Sequence, residues 1–171
     1  LDSIGQPLLA FTGPWSDTVT CAFDPNDKQV IPVGYGSFGA VDISTPWFTY
    51  TIRFQNTGTD TARTVVLVDQ LDPDLAHTSL QVLGFSHQLT GISIDAAGEA
   101  TFRFDDILLP DSAADQLGSQ GFLTFRIAPQ PGLPHATAIT NSAGIHFDLN
   151  PPILTNTTVN TLVDCSLFSA G

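Results

Sequence analysis

Apolar and polar side chains alternate along residues 48–55. Every second position is aromatic or aliphatic, from Phe48 to Phe54, and the positions between them are polar or charged. This period of two predicts a β-strand that is buried on one face. A small polar segment follows, and residues 65–68 (Val-Val-Leu-Val) then form a run typical of a more central strand. We interpret the two segments as a hairpin that needs a second layer.

Further strands are predicted along the whole chain, separated by segments rich in Gly, Pro, Asn and Asp. They cover residues 29–33, 80–85, 92–95, 100–104, 121–128, 137–148 and 153–163. Ala-Ala-Gly between the third and fourth of these segments indicates another hairpin. A glycine-containing loop is predicted for residues 34–46. Short strands without helices between them predict an all-β fold, an antiparallel β-sandwich with Greek-key or hairpin connections.

Composition narrows the function classes. The chain has 171 residues, of which 42% are apolar and only 13% are charged, with a net charge of −12. So few Lys and Arg residues argue against nucleic acid as a partner and against an anionic membrane surface. No apolar run is long enough for a membrane span. The chain begins at Leu1 and lacks Met, which suggests a processed or excised piece.

The first twenty residues differ from the rest, and we divide the chain into an arm (residues 1–20) and a sandwich domain (residues 21–171). The arm is more apolar than a solvated linker. Its candidate contact residues are Ile4, Leu8, Leu9, Phe11 and Trp15. They predict either an extra strand on the arm's own sandwich or a strand donated to a neighbouring copy. Donation is head-to-tail and builds a filament unless it closes into a ring.

Four segments carry a family resemblance. They are residues 24–28 (Asp-Pro-Asn-Asp-Lys), 50–62, 119–122 and 147–156. In order and spacing they resemble a conserved surface-repeat family of unknown function from large secreted bacterial proteins, which often carry a type IX secretion sorting domain. The resemblance implies an immunoglobulin-like (Ig-like) β-sandwich on an exported protein, and it implies no catalytic residue.

Catalysis has little support in the sequence, which lacks a nucleophile elbow, a His-Glu-x-x-His motif and a phosphate-binding Gly loop followed by Lys. We therefore expect a non-enzymatic protein, and the resemblance implies an extracellular or cell-surface location. One hypothesis is a structural module, with copies of itself or neighbouring domains as partners. The alternative is a glycan- or calcium-binding adhesion domain. Exposed Trp and Tyr would form a glycan platform, but Tyr50 is predicted to point inward.

The two cysteines, Cys21 and Cys165, lie near opposite ends of the chain. In an exported protein they predict a disulfide, provided that the first and last strands end close together. Two unrelated buried thiols are the alternative.

Oxygen-bearing side chains are concentrated in two predicted turns, and Asp69, Asp72 and Asp74 form a third cluster. The calcium candidates are Asp24, Asn26, Asp27, Asp148 and Asn150. Calcium prefers six to eight oxygen ligands, usually from several loops. The alternative is that these side chains cap their own turns.

Lys28 is the only lysine, and Asn156 and Asn160 lie on the last predicted strand. Some surface sandwiches join a first-strand Lys to a last-strand Asn by an isopeptide bond, helped by a buried acid. These three residues are therefore isopeptide candidates. The alternative is an ordinary exposed lysine.

Overall fold

The structure is a computed structural model that describes residues 25–168 of the chain. The strands are β1 (Asp27–Ile31), β2 (Ala40–Asp42), β3 (Phe48–Gln55), β4 (Ala62–Gln70), β5 (Gln81–Phe85), β6 (Gly91–Ile94), β7 (Glu99–Leu109), β8 (Gln120–Ile127), β9 (Ala138–Asn141), β10 (Ala143–Phe147), β11 (Ile153–Leu154) and β12 (Thr158–Val163). Two short 3₁₀ turns, His77–Ser79 and Cys165–Phe168, complete the described part, which contains no α-helix. The predicted all-β class is confirmed.

The strands form three sheets. The first has the order β1-β3-β8-β5, the second β11-β10-β4-β7-β6, and a small third sheet has the order β2-β12-β9. Neighbouring strands are antiparallel, except that β2 runs parallel to β12. Strand β2 lies within the segment that we predicted to be a loop.

The core lies where the first two sheets face each other, and the alternation in the sequence places its residues there. Phe54 on β3 meets Phe104 on β7, with ring centroids 5.6 Å apart. Phe102 on β7 stacks on Phe125 of β8 at 5.5 Å. All four rings are buried. Burying each such side chain contributes about 1.5–3 kcal/mol, so these rings hold the two layers together.

The predicted hairpin of residues 48–69 is wrong. Strands β3 and β4 belong to different sheets, so residues 56–61 form a crossover between layers. Buried Asn56 holds this loop: its Nδ2 donates to the carbonyls of Asp60 (2.8 Å) and Leu109 (3.0 Å). The sequence pattern showed that both strands have a buried face. It could not show that the two strands lie in facing sheets rather than side by side in one sheet. The hairpin at Ala-Ala-Gly is confirmed by the pairing of β6 with β7.

The first and last strands lie side by side through two asparagine side chains. Asn156 Oδ1 accepts from the backbone N–H of Lys28, and Asn156 Nδ2 donates to the Lys28 carbonyl, both at 2.9 Å. Asn160 Nδ2 donates to the Pro32 carbonyl at 3.0 Å. Both contacts have the same offset along the chain, so β1 and β12 run in the same direction. The chain therefore enters the sandwich at one end and leaves at the other.

This parallel arrangement removes the basis of the predicted disulfide. The start of β1 and the end of β12 lie at opposite ends of the sandwich, whereas the prediction needed them to be close. Cys165 has a free, exposed thiol, and Cys21 lies outside the described residues. The disulfide is therefore not supported.

Candidate functional site

Lys28 lies in the core rather than at the surface. On β1, Lys28 and Val30 point inward while Gln29 and Ile31 point to solvent. Only 1% of Lys28 is exposed, so the alternative of an ordinary exposed lysine is wrong. Its Nζ lies 4.9 Å from the ring centroid of Tyr50.

The charge of Lys28 is matched by Asp69 on the opposite sheet. Asp69 follows Val65 and Leu67 on the inner face of β4. Lys28 Nζ and Asp69 Oδ2 form an ion pair, and both side chains are fully buried. The pair therefore connects the first sheet to the second through the core.

Burial shifts the pKa of both partners toward the neutral forms. Loss of solvent lowers the pKa of Lys28 to about 8, although the nearby Asp69 carboxylate opposes this shift. Burial also raises the pKa of Asp69, against the opposing effect of Lys28. Replacing such a buried pair with well-packed apolar residues is often neutral or stabilising. Stability alone therefore does not explain why these two residues occupy the core.

Asn141 is the third member of this polar cluster. The inner face of the β9–β10 segment carries Asn141, Ala143, Ile145 and Phe147 in alternation. Ala143 pairs directly with Asp69, and Asn141 precedes Ala143 by two residues on the same buried face. The Asn141 amide is close enough to lower the pKa of Asp69, against the larger effect of burial. Even so, neither polar atom of that amide has a hydrogen-bond partner in the described part of the structure.

Unpaired polar atoms are concentrated at this point of the core. Asp69 Oδ1, Asn141 Nδ2 and Asn141 Oδ1 are all buried without a hydrogen bond among the described residues. Each such atom costs about 1–3 kcal/mol, and native proteins contain few of them. We define Lys28, Asp69 and Asn141 as the buried triad. It places an amine, a carboxyl group and an unpaired amide together away from water.

The two predicted isopeptide asparagines have other roles. Both polar atoms of Asn156 are used on the backbone of Lys28, which lies at the strand edge while the Lys28 side chain points into the core. Asn160 Nδ2 donates to the carbonyls of Pro32, Val33 and Gly39. Sequence reasoning missed Asn141 and considered Asp69 only for calcium. A polar residue at an inward position of an alternating strand was the signal available for Asn141, whereas the apolar run of residues 65–68 gave no such signal for Asp69.

The calcium candidates of the first turn have protein partners. Asp27 forms a bidentate ion pair with Arg53, with both N–O distances 2.6 Å. Asn26 Oδ1 accepts from the backbone N–H of Gln55 at 3.1 Å. Asp24 lies outside the described residues.

The second turn is held by the Asp148 side chain and by a backbone hydrogen bond of Asn150. Asp148 Oδ1 accepts from the backbone N–H groups of Arg63 and Thr64 at 2.9 and 2.8 Å, and the Asn150 N–H donates to the Phe147 carbonyl. Within residues 25–168, no group of three or more His, Cys, Asp or Glu side chains could hold a metal. Calcium binding stays a prediction.

An open groove of about 410 Å³ lies at one end of the first sheet. Its lining includes Arg53, Ser86, Gln120 and Phe122. Tyr50 lies in the core, as predicted. The groove therefore combines one cation, two aromatic side chains (Phe54 and Phe122) and amide and hydroxyl groups.

Comparison with known proteins gives one family match and several structures of similar fold. Residues 24–161 match DUF7619, a domain of unknown function. A variant of the major pilin subunit BcpA of Bacillus cereus has a similar fold, with a TM-score of 0.54 and 19% identity over 80% of this chain and 39% of the pilin. The N-terminal domain of the Streptococcus gordonii adhesin Sgo0707 has a TM-score of 0.53 and 15% identity over 82% of this chain and 33% of the adhesin structure.

The full-length major pilin SpaD of Corynebacterium diphtheriae is also similar, with a TM-score of 0.51 and 17% identity over 78% of this chain and 34% of the pilin. The chain thus spans less than two fifths of each of these structures, and at this identity the likeness shows the fold. The Ig-like β-sandwich expected from the resemblance is confirmed. No match to a curated protein was found.

Proposed function

Because this chain belongs to the DUF7619 domain family and folds like pilin and adhesin domains, we propose that it is a non-catalytic structural module of the bacterial cell surface. The observation that carries the proposal is the parallel arrangement of β1 and β12. A module whose first strand begins and whose last strand ends at opposite poles transmits tension along its length. It can also be placed in series with neighbouring modules. Among residues 25–168, no helix is long and apolar enough to cross a membrane.

The finer proposal is a filament whose subunits are joined by the arm, residues 1–20. The arm lies outside the described residues, so its own sequence and the open sheet edges support this proposal. Strand β6 (Gly-Ile-Ser-Ile) is an edge of the second sheet and carries no charged residue. In natural proteins, charged residues, bulges or proline usually prevent an edge strand from pairing with another chain. Ile92 on β6 is 51% exposed, and a strand added there would cover it.

Deleting residues 1–20 tests the filament. We expect the parent chain to polymerise, as seen by sedimentation and electron microscopy, and the truncated chain to stay folded and monomeric.

The substitution Ile92→Lys should also block assembly, because it places a charge on the acceptor edge. Leu117→Lys is the matched control, since Leu117 is exposed on a loop away from β6. A parent chain that is monomeric at high concentration would exclude the filament and leave a spacer module.

A ligand-binding adhesion domain is the second candidate, and the groove near Arg53 and Phe122 favours it. Stacking of a sugar ring on Phe122 with hydrogen bonds from Gln120 would fit glycan. Binding on a glycan array that is lost in Phe122→Ala would support this function over the structural one. Binding that survives this substitution would place any ligand elsewhere. A lower melting temperature on chelation would support the calcium alternative.

A further inference from the structure

A gain in stability does not explain why the three residues of the buried triad occupy the core. Their functional groups are those of an amide-forming reaction. Lys28 Nζ is a nucleophile when its amine is neutral, and Asn141 offers a carboxamide carbon with no hydrogen bond to fix its amide. Asp69, on the second sheet, is in contact with the amine and lies beside the amide. Water is excluded from all three side chains.

We propose that Lys28 and Asn141 form an intramolecular isopeptide bond, with Asp69 as the acid–base group. This inference stands on the core geometry alone and does not depend on the proposed surface function. It also replaces Asn156 and Asn160 as acceptors, because the leaving nitrogen of each is held in hydrogen bonds to backbone carbonyls.

The reaction begins with a proton transfer inside the ion pair. The Lys28 ammonium gives a proton to the Asp69 carboxylate, and a neutral amine and a neutral carboxylic acid result. Burial favours this exchange, because it disfavours both charged forms. The lowered pKa of Lys28 and the raised pKa of Asp69 agree in direction with it.

The amine then attacks Cγ of Asn141. Protonated Asp69 donates a hydrogen bond to Asn141 Oδ1, which stabilises the developing oxyanion. Asp69 next carries a proton from the attacking nitrogen to Nδ2. The Cγ–Nδ2 bond breaks and ammonia leaves. The balance is one amine plus one primary amide giving one secondary amide plus ammonia, with no oxidant, nucleotide or metal.

Formation of the bond would reduce the number of buried polar atoms without a hydrogen bond in the core. Asn141 Nδ2, which has no hydrogen bond, departs with the ammonia. The new amide N–H and the carbonyl oxygen can each pair with one oxygen of the Asp69 carboxylic acid. The bond would join β1 to β9, the partner of the last strand β12. Tension on the chain ends would then no longer extend the residues between 28 and 141.

Intact mass of the unsubstituted 171-residue chain, measured after denaturation, tests the bond. We expect a mass lower than the sequence mass by one ammonia. Trypsin should fail to cleave at Lys28 and should release one branched peptide of residues 1–53 joined to residues 127–171. A folded chain with the full sequence mass would overturn the proposal. So would a branched peptide joined through Asn156 or Asn160.

Substitutions separate the isopeptide from other losses of ammonia. Lys28→Arg and Asp69→Asn should restore the full mass. An Asn that cyclises to a succinimide also loses ammonia, but that loss would persist in Lys28→Arg and would give no branched peptide. Asn141→Asp keeps the size of the side chain and should lose water instead of ammonia. Asn156→Asp and Asn160→Asp should each keep a link at Asn141.

Discussion

The core of this sandwich has two halves built on opposite principles. In the apolar half, the rings of Phe54, Phe102 and Phe104 pack between the sheets. Phe125 stacks on Phe102 and borders the polar half, because Lys28 Nζ lies 5.6 Å from its ring centroid. In the polar half, the buried triad brings together an amine, a carboxyl group and an amide, and the amine lies 4.9 Å from the ring centroid of Tyr50. The first half is what folding requires. The second half costs free energy as it stands, which indicates that it is retained for a reaction or for specificity.

The largest effect should come from replacing the ion pair by apolar residues, as Lys28→Met with Asp69→Leu. An ion pair alone would be lost at little cost. Losing a covalent link between residues 28 and 141 should instead cost about 4–5 kcal/mol in the chain-entropy model. The free energy of unfolding in urea measures the difference. A variant as stable as the parent would mean that the triad adds no covalent constraint.

Truncating the apolar half should cost nearly as much. Phe104→Ala removes the ring that packs on Phe54 at 5.6 Å, and we expect a loss of about 3–5 kcal/mol in urea unfolding. Leu117→Ala is the control, because Leu117 is 83% exposed and should change stability by about 0.5 kcal/mol or less. Equal losses at the two positions would contradict the core assignment.

The alkaline pH dependence of stability should distinguish a titrating lysine from a bonded one. In Asn141→Leu, Lys28 keeps its amine, whose pKa is about 8 when folded and 10.5 when unfolded. The unfolded state then binds more protons between these values, so stability should rise with pH by up to about 2 kcal/mol between pH 8 and 9.5. The parent chain, in which Lys28 is an amide, should lack this rise. The same rise in both would argue against the bond.

A loss of similar size is expected at the crossover loop between the sheets. Asn56→Ala leaves the Asp60 and Leu109 carbonyls without their amide donor and should cost about 1–3 kcal/mol. Thr59→Ala, in the exposed part of the same loop, should be nearly neutral. Melting temperatures of the two variants provide the comparison. If they agree, Asn56 does not hold the crossover.

The smallest loss of stability should come from the partly exposed ion pair between Asp27 and Arg53 on the first sheet. Asp27→Asn breaks the pair with Arg53, whose side chain is 34% exposed, and should cost about 0.2–1 kcal/mol, less at high salt. Unfolding at low and high ionic strength measures it. A larger loss that a calcium chelator reproduces in the parent chain would support the calcium site instead.

Part of the site could have been predicted from single strands. The alternation of the β9–β10 segment places Asn141 in line with Ala143, so a polar residue at an inward position was visible there. The apolar run of residues 65–68 shows no alternation, and only the structure places Asp69 in line with Val65 and Leu67. No strand by itself could show that the two residues meet, because alternation specifies the face of a side chain and not its neighbour.

The sequence by itself determined which face of each alternating strand is buried. Side chains of a strand alternate between its two faces, and the cost of exposing apolar surface selects which face is buried. Every second side chain from Phe48 to Phe54 and from Leu123 to Ile127 therefore points inward, whatever the topology. Only the tertiary structure decided that β3 and β4 lie in different sheets, that β1 and β12 run in the same direction, and that Lys28 meets Asp69 beside Asn141. These facts depend on pairings between distant parts of the chain. Many topologies satisfy the same alternation, and the packing of all strands together selects one of them.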